Sequence, residues 1–376
     1  MDVSLFCNEL EKNGVDFYVG VPDSFLYAFC DYVSRVVPKE RRLTTANEGN
    51  AVAVAAGRYF ATRKLSLVYL QNSGLGVAYN PLASLADVDV YSVPMVLLIG
   101  WRGRPGENDW AQHKLQGATT LSTLEALNVP YAILEDDDAF VCKAVKQAAL
   151  QAQTERRAVA LVAPKGTLSG RKKNDAFDSP YSTSRAEAIE TIVSIAPSDA
   201  IFCATTGRAT RELYYLRERR NETHRRDFLN VGSMGHASSV ALGIALSRPE
   251  RTVVCFDGDA ASIMHMGAEA IIGAARVPNL FHIVLNNGAH ESVGGQPSVG
   301  FDVDLTAIAQ ACGYATNEHA ATTRDELVDA FRSLQKSDRS KFIEARVRVG
   351  MDGKLPTLDA SHRELIDELM NELNRD

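Results

Sequence analysis

The sequence predicts an α/β protein made of two doubly wound parallel sheets, one in each half of the chain. Three observations predict it. Short apolar, β-branched runs alternate with helical patterns from end to end. The runs are apolar at consecutive positions, as strands covered on both faces are. A polar, turn-rich stretch divides the chain near its middle. With 376 residues, 45% of them hydrophobic, the chain suits two domains of roughly 150–200 residues better than one core.

Taken in order, the first half predicts strands over 17–19, 43–45, 65–70, 95–99 and 159–162, with helices over 4–12, 50–62 and 138–151. Residues 164–183 are polar, charged and rich in turn formers, as a linker should be. Ser184 followed by Glu187 has the spacing of a capping box and starts the second half. There, strands are expected over 201–204, 253–256, 282–285 and 342–347, and helices over 185–195, 260–275, 325–334 and 362–373. The domains expected are thus 1–163 and 184–376, joined by 164–183. No short-period repeat or low-complexity tract interrupts them.

Composition excludes several classes. A net charge of −7 and a pI near 5.7 give no basic face for nucleic acid or anionic membrane. The six cysteines form no CxxC pair, and several sit in apolar runs, so buried free thiols of a reducing cytosol are expected. Met1 to Leu5 carry no basic n-region or long apolar h-region, and the longest apolar run, 93–99, has only strand length. These features lead to an expectation of a soluble, cytoplasmic protein without a membrane partner. Gly74-Leu75-Gly76 lacks the third glycine of a dinucleotide fingerprint, and the eight histidines show no HExxH spacing.

The strongest chemical signal lies at 253–298. An apolar run ends in Asp257-Gly258-Asp259-Ala260-Ala261-Ser262, and a second ends in Asn286-Asn287-Gly288-Ala289-His290. Asp259 and Asn287 are 28 positions apart, each just past a strand's C-terminal end, where parallel sheets bind ligands. Small residues at 258–262 let backbone amides approach phosphate oxygens, and a carboxylate with an amide oxygen are hard ligands for Mg²⁺. Taken singly, Asp259 also reads as a helix N-cap and Asn286-Asn287 as a turn.

The pair resembles the cofactor motif of the thiamine diphosphate enzymes, Gly-Asp-Gly and then Asn-Asn some 25–30 residues on, with Ala260 at the third position. The resemblance implies that Asp259, the Asn287 side chain and the Ala289 carbonyl hold Mg²⁺, with Gly258, Ala260 and Ala261 around the diphosphate. If position 260 requires a positive φ, alanine there weakens cofactor binding. The resemblance gives Gly232 a carbonyl contact to the aminopyrimidine N4′, and makes Met234 the residue that wedges the cofactor into its bent form. Met234 taken alone reads equally as core packing. Thr206 and Gly207 follow a strand end and are placed for the diphosphate. In the first half, Glu48 opens an Ala-rich helix, where a lone Glu also suits the helix dipole. By resemblance it is the acid against pyrimidine N1′, its pKa raised by an apolar pocket.

The chain has no room for a third, middle domain, and so resembles the compact phosphonopyruvate and sulfopyruvate decarboxylases. Gly20-Val21-Pro22-Asp23-Ser24, Gln71 to Gly76, Gly100-Trp101-Arg102-Gly103, Gly232 to Ala237 and Asn286 to Pro297 carry the likeness to the former. A family stretch of acidic-Pro-Gln-His is here Asp109-Trp110-Ala111-Gln112-His113. What the resemblance implies is non-oxidative decarboxylation of phosphonopyruvate in phosphonate biosynthesis, with the site between subunits of a homodimer or larger homo-oligomer. Proton carriers implied are Asp23, Ser24, His113 and His290; Asp23 and Ser24 also suit a helix cap. Arg102 is the first choice for the phosphonate, ahead of Arg104 and Lys114, all three equally readable as loop charges. Sulfopyruvate, another 2-oxo acid, a carboligase reaction and a cofactor-binding homologue without activity remain alternatives.

Overall fold

The computed structural model describes residues 1–170, 179–350, 353, 355 and 358–375. The middle of the expected linker, 171–178, lies outside the described residues. The chain divides into two compact units, Met1–Asp175 with Ser292–Gln296, and Ala176–Glu291 with Pro297–Asp376.

In the first unit, β1 (Val15–Gly20), β2 (Arg42–Thr44), β3 (Leu65–Gln71), β4 (Met95–Gly100), β5 (Tyr131–Ile133) and β6 (Ala158–Ala163) form a sheet of order β2-β1-β3-β4-β6-β5. Every pairing is parallel. The consecutive apolar residues of β4 and β6 are all buried, because helices cover both faces. Alternate side chains divide accordingly. Leu67, Tyr69, Val96 and Leu98 join one core cluster, while Val68, Leu70, Leu97 and Ile99 join the other. Each such fully buried aliphatic side chain contributes about 1.5–3 kcal/mol of transfer free energy.

The second unit repeats the plan. Its strands are β7 (Ile201–Ala204), β8 (Asp227–Leu229), β9 (Val253–Gly258), β10 (Leu280–Asn286), β13 (Ala315–Thr316) and β14 (Lys341–Arg346). The order is β13-β14-β10-β9-β7-β8, parallel throughout. Two short strands, β11 (Ala289–His290) and β12 (Gln296–Pro297), lie in the loop after β10. The helix Arg185–Ile195 starts with the capping box of Ser184 and Glu187.

The order in which strands are added across the sheet reverses between β1 and β3 in one unit and between β7 and β9 in the other. Parallel sheets bind ligands outside the C-terminal strand ends at such a switch point. Among the described residues no helix is long and apolar enough to cross a membrane. All six cysteines are free.

Several expected bounds shift, the strand over 43–45 being Arg42–Thr44, and two further elements differ. The single helix over 260–275 is two, Asp259–Met264 and Gly267–Ala275. At the break His265 leaves helical geometry (φ −129°, ψ 43°) and its ring lies against His236, tilted by 48° with ring centroids 4.3 Å apart. The last strand ends at Arg346 rather than Val347, although the Val347 amide still donates to the Asn286 carbonyl at 2.8 Å.

Candidate active site

Within the first unit, the switch point gathers the C-terminal ends of β1, β3 and β4. The helix Glu48–Thr62 begins a few residues after β2. Asn47 caps it, its side chain accepting from the Asn50 amide at 2.9 Å, so Glu48 is the first helical residue. Glu48 is nevertheless buried, and among the described residues its Oε2 has no hydrogen-bond partner. Burial raises its pKa, opposed only by a backbone hydrogen bond. Room for the carboxyl comes from Gly74, where a Cβ would stand 2.3 Å from Glu48 Oε1 and 2.4 Å from Cδ. A buried carboxyl with a free oxygen in a glycine-made cradle fits a donor to a ring nitrogen such as pyrimidine N1′.

The end of β1 supplies Asp23. It is fully buried, and its Oδ2 accepts from the Phe25 and Leu26 amides at 3.0 and 3.2 Å. Its Oδ1 has no partner among the described residues. Asp23 therefore caps a turn and keeps one oxygen spare. Burial pushes its pKa up to about 6, against the lowering influence of Arg102. Gly100, at the end of β4, leaves space for it: a Cβ there would lie 2.1 Å from Asp23 Oδ2.

Arg102 is held on several sides. Its Nε and Nη2 donate to Asp109 at 2.8 and 2.5 Å, its Nη1 donates to Ser24 Oγ at 2.8 Å, and its guanidinium lies 4.5 Å from the Phe25 ring centre. Asn72 brackets its backbone, accepting from Arg102 N at 3.1 Å and donating to Arg102 O at 2.8 Å. Asp109, with amide hydrogen bonds from Gly103 and Trp110 as well, is held well below the usual carboxylate range despite its burial. So Arg102 is a fixed but half-neutralised cation. Arg104 pairs instead with Glu107, and Lys114 is exposed. His113 is buried with Nδ1 unpartnered. Burial, and then Arg102, lowers its pKa and keeps the ring neutral.

In the second unit, Gly207 takes φ 103°, ψ −121°, a conformation open to glycine, and directly precedes the helix Arg208–Arg219. The Thr206 hydroxyl accepts from the Gly232 amide at 3.0 Å, which joins the two turns. Gly232 itself has φ 72°. Met234 is half-buried and belongs to none of the apolar cores.

Asp259 lies just past β9 and is buried. The Ser298 hydroxyl donates to it. Burial raises its pKa to about 6, opposed by hydrogen bonds from Ser298 and backbone amides rather than by a cationic side chain. A buried carboxylate without a cationic neighbour suits a metal ion. Gly300 keeps the space open, since a Cβ there would be 2.5 Å from Asp259 Oδ2. The register Gly258↔Leu285 sets Asp259 beside the end of β10. There the two asparagines divide their work. Asn286 is internal, its amide nitrogen donating to Gly300 O and Glu344 at 2.6 and 2.9 Å. Asn287 Oδ1 accepts from the Ala289 amide at 3.1 Å. Burial pushes the His290 pKa down to about 4. Ala260 sits inside the helix Asp259–Met264 and outside the positive-φ residues, so its backbone does not demand glycine.

A further set, Cys255, Asp257 and His282, has ligand atoms within 4.8 Å of one another and is fully buried. Both ring nitrogens of His282 have neighbours there, Asp257 Oδ2 at 3.4 Å and the Tyr314 hydroxyl at 3.5 Å. This internal contact, the cradle glycines Gly74 and Gly300, and the Asp109 latch on Arg102 were not foreseen from sequence. Of these residues Gly300 lay outside the segments already singled out.

Comparison with known proteins follows the same lines. The N-terminal TPP binding domain of thiamine pyrophosphate enzymes matches residues 3–124, and their C-terminal TPP binding domain matches 205–345. A phosphonopyruvate decarboxylase of Streptomyces viridochromogenes is 36% identical over 90% of this chain and 87% of its own. One of Streptomyces hygroscopicus is 35% identical over 90% of this chain and 85% of its own. A sulfopyruvate decarboxylase of Methanosarcina acetivorans is 30% identical over 91% and 90%.

Proposed function

The chain belongs to the thiamine pyrophosphate enzymes, and from that premise we propose that it removes CO₂ from phosphonopyruvate to give phosphonoacetaldehyde, with Mg²⁺ as cofactor metal. The observation that carries the reading is Glu48, a buried carboxyl with one free oxygen at the switch point of the first unit. Bound thiamine diphosphate supplies the carbanion and electron-sink chemistry; the protein supplies orientation, charge and protons.

In this reading Glu48 holds the proton at pyrimidine N1′. The Gly232 carbonyl and Met234 orient the pyrimidine. Thr206, Gly207, Gly258, Ala260 and Ala261 line the diphosphate, and Asp259, the Asn287 side chain and the Ala289 carbonyl hold Mg²⁺. Asp23, Ser24, His113 and His290 move protons, with Asp23 and His113 each keeping an unpartnered buried atom for the task. Arg102 faces the phosphonate through donors it now shares with Ser24 and Asp109. The enzyme works in the cytoplasm as a homodimer or larger homo-oligomer with sites between subunits, in phosphonate or antibiotic biosynthesis.

Sulfopyruvate is the second reading. The half-neutralised Arg102 suits a sulfonate of charge −1, and the Methanosarcina relative is named for that substrate. Steady-state kinetics on both substrates decides. We expect kcat/KM for phosphonopyruvate to lead by about 10²-fold or more, on the order of 2.7 kcal/mol. Equal or reversed values overturn the choice of substrate.

A further inference from the structure

Glu291 takes the Asn287 amide nitrogen while the Ala289 amide takes its oxygen, and we propose that Glu291 is a positioning residue of the metal site. The inference rests on the cofactor reading above. Glu291 Oε2 accepts from Asn287 Nδ2 at 3.0 Å and from Arg185 Nη1 at 2.7 Å. Its Oε1 accepts from Arg208 Nη1 and from the Gly350 amide, the latter at 2.6 Å, and its backbone carbonyl accepts from Arg208 Nη2 at 3.1 Å. Arg185 is in turn bound at both ends of Glu212, at 2.6 and 2.8 Å. The result is an open ion-pair chain, Glu212–Arg185–Glu291–Arg208, of two arginines and two glutamates. Three of its side chains are less than a tenth exposed, and Arg208 is 21% exposed.

Two features of this ion-pair chain bear on function. Buried ion pairs of this kind return little net stability over a well-packed apolar replacement, so stability is a weak reason for it. Its reach is more telling. Arg208 opens the helix after the Thr206-Gly207 turn, and Glu291 closes the loop that carries Asn287 and Ala289, so the chain of ion pairs ties the diphosphate turn to the cation loop.

The contact to Asn287 has a chemical direction. A glutamate carboxylate only accepts hydrogen bonds, so it favours the amide rotamer that points nitrogen at Glu291; the Ala289 amide, donating to Asn287 Oδ1 at 3.1 Å, favours the same rotamer and leaves that oxygen a second lone pair for the ion. The opposite rotamer would aim an NH₂ group at a cation. Arg185 and Arg208 hold the Glu291 carboxylate in place, as outer partners of metal ligands are held.

Mn²⁺, read as loss of the free-ion EPR signal with thiamine diphosphate present, probes the site directly on the full chain. Glu291→Gln weakens Mn²⁺ binding by roughly 10- to 100-fold, the range for such outer partners. Glu212→Gln breaks the same ion-pair chain at its far end from Asn287 and leaves Mn²⁺ affinity within about threefold, although both variants melt at lower temperature. Equal effects of the two variants on Mn²⁺, or none from Glu291→Gln, overturn the proposal. Should Glu291→Gln not fold, Glu291→Asp keeps the charge for both arginines, draws the carboxylate back by one methylene from Asn287, and is read the same way. Wild-type protein that holds neither cofactor nor Mn²⁺ refutes the cofactor reading itself, whereas normal wild-type binding with an unaffected Glu291→Gln refutes this inference alone.

Discussion

Replacing Gly74 with alanine would put a methyl carbon 2.3 Å from Glu48 Oε1, 2.4 Å from Cδ and 2.5 Å from Cγ. Real contacts of a Cβ do not fall below 3.0 Å, so the Glu48 carboxyl must retreat by about 0.7 Å or turn. A displacement near 1 Å of a positioned group costs about 10²-fold in rate, or about 2.7 kcal/mol. The same crowding costs about 1–3 kcal/mol of stability, so the fold survives. The assay is steady-state decarboxylation at saturating thiamine diphosphate and Mg²⁺, with a thermal melt alongside. A kcat within about threefold of wild type would refute the claim that Gly74 exists to seat Glu48.

Three further outcomes follow from the site. Glu48→Gln keeps the shape of the side chain but removes its acid, so turnover falls about 10²- to 10⁴-fold while calorimetry still detects cofactor binding. Asp23, with a folded pKa of about 6 against an ordinary 3.8, keeps a proton that the unfolded chain has released. Its burial therefore costs nothing below pH 4, an increasing amount as pH rises to 6, and a constant amount above. Asp23→Asn, measured by denaturant unfolding without ligands, should gain up to about 3 kcal/mol at pH 7 and nothing at pH 4; no difference between the two pH values would show that Asp23 is not so perturbed. Asp109→Asn frees Arg102 from its carboxylate, so inorganic phosphate should inhibit roughly tenfold more strongly. Unchanged inhibition would remove Arg102 from the anion site.

Much of this was legible in the sequence because the strands are short apolar runs and the cofactor residues stand at their ends. β7 and the helix Arg185–Ile195 matched their expected bounds, and Ser184 with Glu187 formed the expected capping box. The helices that escaped notice bury the wrong kinds of residue for a periodicity test. Helix Ala111–Ala126 turns His113, Gly117, Thr120 and Leu124 inward, a helical spacing with one large aliphatic in it. Helix Leu75–Leu82 contains Pro81, and helix Arg208–Arg219 buries Glu212 and Arg217 among its apolar residues.

The site was legible as a set of residue types but not as a set of partners. Nothing local in the sequence says that Asp109 closes on Arg102, or that Gly300 faces Asp259 from 41 positions away. The fear that Ala260 strains its turn was also a question of backbone angle, and the helix that begins at Asp259 answers it.

The most direct test is ³¹P NMR of the purified protein with phosphonopyruvate, thiamine diphosphate and Mg²⁺, against a sample without the cofactor. We predict that the substrate resonance gives way to that of phosphonoacetaldehyde only in the complete mixture. A substrate signal that persists in protein shown to have bound the cofactor would contradict the proposed reaction.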